Sequence, residues 1–124
     1  MKTILYVAAG GSIGAVLRYL VSGWVHQLMG HGFPWGTLVV NVVGSLLMGL
    51  GYFLLTERFM VSPELRMAIL VGCLGAVTTF STFSIETMNL IESGTNLLAL
   101  LNILVSVVLC LSSVWLGMWL ARMM

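Results

Sequence analysis

Charge is what this sequence has least of. Asp, Glu, Lys and Arg make up 7% of its 124 residues, where a soluble domain carries about 25%. Five basic and four acidic side chains cannot solvate the surface of a globule of this length. That excludes an ordinary soluble enzyme and a disordered chain. A net charge of +1 gives no steering field for a polyanion, so a nucleic-acid binder with a basic face is excluded as well. Cysteine and histidine are nearly absent, two of each. Cys73 and Cys110 fall inside apolar stretches and read as small buried residues. His26 and His31 fall in a loop, with no acid or Cys beside them, and read as solvated. No HExxH motif and no Gly-rich loop leading to a Lys occurs, so no enzyme constellation is present.

What the sequence has instead is length of apolar run. Hydrophobic residues make up 60%, and a transmembrane helix needs about 20 of them in succession. Residues 4–25, 35–55, 65–91 and 97–121 each qualify. They predict an all-α, multi-pass integral membrane protein: a single four-helix domain over residues 1–124, wound as an antiparallel bundle through short loops. The first span continues past Ala8-Ala9-Gly10, so it is retained rather than cleaved as a signal peptide. Ser62-Pro63 supplies a helix cap and a first-turn proline for the third span. Lys2, Arg58, Arg66 and Arg122 all belong to one end of the bundle, and the loops at the other end hold no Lys or Arg, which places both termini in the cytoplasm.

A bundle that only spans lipid needs no polar groups, yet polar groups recur at membrane depth, where each is costly unless paired or wet. In the first span Gly10, Gly14, Arg18 and Ser22 share one face. The glycines allow close helix approach. Arg18 is either an anchor on backbone carbonyls or the positive charge that draws anions to a vestibule. In the second span Thr37, Asn41, Gly44, Ser45 and Met48 share a face, and Asn41 is either interhelical glue or a donor to a ligand. The fourth span carries Asn102, Ser106, Cys110, Ser113 and Gly117 as one stripe, a tight interface, a pore wall, or both. The third span holds Gly72-Cys73-Leu74-Gly75-Ala76-Val77-Thr78-Thr79-Phe80-Ser81-Thr82-Phe83-Ser84. Hydroxyls that compete for backbone bonds and β-branched threonines make a poor helix centre, so the helix is expected to break near residues 75–79. Irregular backbone at that depth survives only when buried in protein or lining a cavity, and freed carbonyls there are natural cation ligands. Glu86, four residues past Thr82, pairs with Arg18 or sits in a wet vestibule. Neutral Asn, Ser and Thr donors with one Arg suit an anion that must shed water in a narrow path. Phe80 and Phe83 can present electropositive ring edges to it.

These residues resemble the Fluc fluoride channels, also called CrcB proteins. The resemblance rests on Gly10-Gly11-Ser12-Ile13-Gly14-Ala15 with Arg18-Tyr19, on Gly36-Thr37-Leu38-Val39-Val40-Asn41-Val42-Val43-Gly44-Ser45, and on the third-span run just quoted with Glu86. It implies a fluoride-specific channel of the cell inner membrane that gives passive fluoride efflux and protects the cell from fluoride. It implies a dimer of inverted subunits, built with a second copy or a close homologue. It implies a structural sodium ion at the dimer centre, held by the backbone carbonyls of Gly75 and Thr78. Asn41, Phe80 and Phe83 would line the fluoride path, with Thr37, Ser81, Thr82 and Ser106 contributing hydroxyls and Arg18 near a vestibule. Relatives usually carry Tyr where this chain has Asn102. The competing architecture is a small multidrug-resistance-type proton-coupled transporter, also four short helices in an inverted dimer. That chemistry needs an acid in the membrane, and Glu86 is the only acid well inside a span.

Overall fold

A computed structural model describes all 124 residues as helices joined by short turns. Four helical stretches are long and apolar enough to cross a membrane: Lys2–Met29, Trp35–Arg58, Pro63–Glu92 and Asn96–Met123. The first is α1 and the second α2, whose last turn, Leu54–Arg58, widens to π geometry. The third divides into α3, residues 63–77, and α4, Phe80–Glu92. The fourth, Asn96–Met123, is α5. No β-strand is present.

The ends have local causes. Ser62 Oγ accepts the Leu65 N–H at 3.3 Å, and Pro63 occupies the first turn of α3, the capping expected from sequence. Gly94, in the turn between α4 and α5, has φ +77°, a left-handed conformation that costs glycine nothing. α1 runs four residues past the expected end at Val25. His26 lies inside this last turn and not in the loop, and its ring stacks on His31 at 5.4 Å between centroids. The polarity of His26 suggested a boundary, but the chain turns only at Gly30, with φ +82°.

α1 packs on α3, α2 on α5, and α2 also touches α1. Both principal seams are glycine contacts. A Cβ at Gly10 would run into the Ala68 carbonyl, and one at Gly14 into the Cys73 carbonyl. Between α2 and α5, a Cβ at Gly49 would meet the Val114 carbonyl and one at Gly117 the Leu46 carbonyl. Backbone-to-backbone approach of this kind replaces the hydrophobic drive that lipid removes. α3 is wound as a π-helix over Ala68–Leu74, facing Gly10 and Gly14.

The distribution of side chains is inverted relative to a soluble fold. Leu, Ile, Val, Met and Trp dominate the exposed surface, and the buried set includes Thr37, Thr79, Thr87, Asn102 and Ser106. Such a surface matches a hydrocarbon solvent, and the buried polar groups must find partners within the chain.

Candidate functional site

The site is organised by two residues that leave helical geometry. Thr78 has φ −78°, ψ 150° and Thr79 has φ −149°, ψ 116°, both extended. Gly75, at the start of the window expected to break, remains helical. The extended peptide is held from α2. Asn41 Oδ1 accepts the Thr79 N–H at 2.7 Å, and Asn41 Nδ2 donates to the Thr79 carbonyl at 3.1 Å. A side-chain amide carries the same donor and acceptor as a peptide group, so Asn41 acts as a one-residue strand beside Thr79.

The Thr79 hydroxyl then starts α4. Its oxygen accepts the Thr82 N–H at 3.2 Å, and its proton goes to Thr82 Oγ1 at 3.0 Å. Ser81 Oγ lies 3.3 Å from the same oxygen. With the Thr79 proton already committed, Ser81 is the donor there. Both replacements strip carbonyls of their helical partners. A continuous helix would aim the Thr79 N–H at the Gly75 carbonyl and the Thr82 N–H at the Thr78 carbonyl. Here those protons go to Asn41 and Thr79. The Gly75 and Thr78 carbonyls are thus among the hard, neutral oxygens freed at the break that could hold a cation, and no cluster of three His, Cys, Asp or Glu side chains offers an alternative.

Asn41, Phe80, Phe83 and Ser106 come together around one cavity of about 250 Å³ that contains no carboxylate. The Phe rings are tilted 43° with centroids 5.3 Å apart. Phe80 is 77% exposed on the single chain, which rules out core packing as its role. On the other side of the interruption Arg18, Thr37, Thr79 and Thr82 line a second cavity of about 360 Å³. Thr82 accepts a bond without giving its own proton away, so it retains a donor there. Ser81 lines neither cavity, and Gly75 borders a third, near Arg66 and Thr56.

Glu86 does not pair with Arg18. One of its carboxylate oxygens is buried without a partner, its polar neighbours are Thr37 and His26, and it lines a mouth cavity with His26, His31, Asn89 and Ser93. The acid that a proton-coupled transporter would need at mid-membrane sits instead at one end. His26 borders both the mouth cavity and the Arg18 cavity, contrary to its reading as a solvated loop residue. Cys73 and Cys110 are free thiols. Asn102 does not face the cavity. It is 1% exposed and bonded to Thr87 and Ser106. Thr87 escaped the sequence reading, although its position four residues after Phe83 is the spacing at which a helical Thr donates back to a carbonyl.

A family model described as CrcB-like protein, Camphor Resistance (CrcB), matches residues 5–118. Three relatives named fluoride-specific ion channel FluC cover nearly the whole chain. The protein from Magnetococcus marinus is 54% identical over 120 residues, 97% of this chain and 98% of its own. That from Shewanella woodyi is 56% identical over 117 residues, 94% of each chain. That from Citrifermentans bemidjiense is 47% identical over 122 residues, 98% of each.

Proposed function

The chain belongs to the CrcB-like family, and from that premise we propose that it is a fluoride-specific channel providing passive efflux across the cell inner membrane, and so protection from fluoride. It is not an enzyme, and its relatives are named as channels. One observation carries the reading to residues: Asn41, Phe80, Phe83 and Ser106 line one cavity free of carboxylates. Fluoride is small and tightly hydrated, and a narrow path must replace its water with donors. Asn41 uses one amide proton on Thr79 and keeps the second. The tilted rings of Phe80 and Phe83 add electropositive edges. Thr37 and Thr82, with Arg18 behind them, form an anion-attracting antechamber on the far side of the extended peptide.

The working unit in this reading is an inverted dimer. Gly75 and Phe80 are exposed on the single chain, and a second subunit would cover them. The Gly75 and Thr78 carbonyls, deprived of helical donors, fit a hard monovalent cation such as sodium. When bound, that ion supplies a fixed positive charge and a tie between the two interrupted helices. The test is reconstitution of the purified chain in liposomes, with fluoride and chloride efflux followed in parallel. Fluoride efflux without chloride efflux is the expected result. Equal rates for both anions, or no fluoride efflux either from the folded chain alone or with a homologous partner added, would overturn the proposal.

A further inference from the structure

A line of hydrogen bonds joins α5 to α4 behind the cavity of Asn41, Phe80 and Phe83. Thr87 Oγ1 donates to the Phe83 carbonyl at 2.7 Å. A carbonyl only accepts, so the single Thr87 hydroxyl proton is committed there. Thr87 Oγ1 must therefore accept from Asn102, which sets the amide with Nδ2 toward Thr87 at 2.9 Å. Asn102 Oδ1 then faces Ser106 and accepts its hydroxyl proton at 3.3 Å. One acceptor, the Phe83 carbonyl, fixes the direction of every proton in the line. Thr87, Asn102 and Ser106 are 6%, 1% and 7% exposed, so the line is shielded from bulk solvent.

Ser106 borders the cavity, but its proton points away and its lone pairs face in. For an anion that orientation is the wrong one. We propose that Asn102 is a positioning residue that tunes fluoride affinity by holding the Ser106 proton out of the path. The inference rests on the channel reading above and concerns only how tightly the path holds its ion. A channel site must be deep enough to fill and shallow enough to empty. Withholding one donor makes this wall shallow.

The experiment measures fluoride current through reconstituted protein against fluoride concentration, separating half-saturation from maximal current. Asn102→Leu removes the side-chain acceptor, leaving only the neutral backbone carbonyl of residue 102, which an anion in the cavity outcompetes for the Ser106 proton through a charge-assisted bond. Half-saturation should fall by roughly tenfold, the effect of about one added hydrogen bond to an ion, and maximal current should fall with it. Thr87→Val is nearly isosteric and reaches the same state by another route. Without Thr87 Oγ1 nothing fixes the amide; turned over, it donates Nδ2 to Ser106 and frees the Ser106 proton for the anion, which is the state that fluoride binding selects. It carries the test if Asn102→Leu does not fold. Thr87→Ser keeps the line intact and should reproduce the wild-type curve. In a Ser106→Ala background neither Asn102→Leu nor Thr87→Val should shift half-saturation. Structural damage alone would reduce current without tightening binding. Folded variants with unchanged half-saturation, or a shift that persists in Ser106→Ala, would overturn the proposal. A wild-type protein that carries no fluoride current at all would instead overturn the channel reading beneath it.

Discussion

At the scale of single residues, Asn41 and Phe80 have separable duties. Asn41 binds both polar groups of the Thr79 peptide, so its loss should act on the structure as well as on the proposed path. Asn41→Asp puts an anionic oxygen against the Thr79 carbonyl in place of a donor. Losing that partly buried bond should cost about 1–3 kcal/mol, visible as a lower melting temperature in detergent, and fluoride efflux should vanish through repulsion. Efflux at the wild-type rate would remove Asn41 from the path. Phe80, being exposed on the single chain, contributes little to the fold of the monomer. Phe80→Ile should leave the helical content of the chain unchanged and reduce fluoride flux by roughly tenfold or more, equivalent to about 1.4 kcal/mol of lost stabilisation. Unaltered flux would argue that the ring edge touches no ion. The Thr-Phe run stood out in the sequence because hydroxyls interrupt a span that should be uniformly apolar, and in the structure Phe80, Phe83 and Thr82 border cavities while Ser81 borders neither. The line through Thr87 and Asn102 was not, because two residues 15 apart in sequence meet only after α4 and α5 have docked across their turn.

At the scale of elements, close helix contact decides which glycines matter. Gly14 and Gly23 lie on the same helix, but a Cβ at Gly14 would strike the Cys73 carbonyl, while nothing lies within 4 Å of one at Gly23. Gly14→Val should therefore lose folded protein, the overpacking costing about 1–3 kcal/mol or more. Gly23→Ala should match wild type in monodisperse yield and thermal scan. Equal yields from both would mean that the α1–α3 seam tolerates expansion. The four spans themselves were readable from sequence, since lipid allows little besides helices of about 20 residues. Their ends were less so. Helix α1 outlasts its apolar run because His26 is accommodated between His31 and Gly36, a tertiary fit that hydropathy does not record. The same kind of fit decides between the two expectations for Glu86: it lines a mouth cavity beside Thr37 and His26 and does not pair with Arg18.

At the scale of the whole molecule, the basic residues Lys2, Arg58, Arg66 and Arg122 belong to one end of the bundle, where α1 and α3 begin and α2 and α5 end. Basic residues near span ends hold that side in the cytoplasm. A reporter fused to the C-terminus should accordingly read as cytoplasmic in the large majority of molecules when the chain is expressed alone. An inverted dimer would then draw its other subunit from a homologue of opposite orientation. An even split between the two sides would instead allow the chain to pair with itself. For either dimer, elemental analysis after prolonged washing in sodium-free buffer should still find bound sodium. A metal-free protein that keeps its fluoride flux would dismiss the ion as a structural element.

The pairing of Asn41 with Thr79 spans 38 positions of sequence, which gives it a consequence for biogenesis. Residues 78 and 79 are weak helix formers, but weakness alone leaves two peptide groups unsatisfied in hydrocarbon at several kcal/mol each. Until the third span docks against the second and its amide, its cheaper state is an unbroken helix. A synthetic peptide of residues 63–92 in lipid micelles should show helical backbone shifts straight through Thr78 and Thr79. The joint in the third span is then a late product of assembly, made when one span lends another the hydrogen bonds that it gave up.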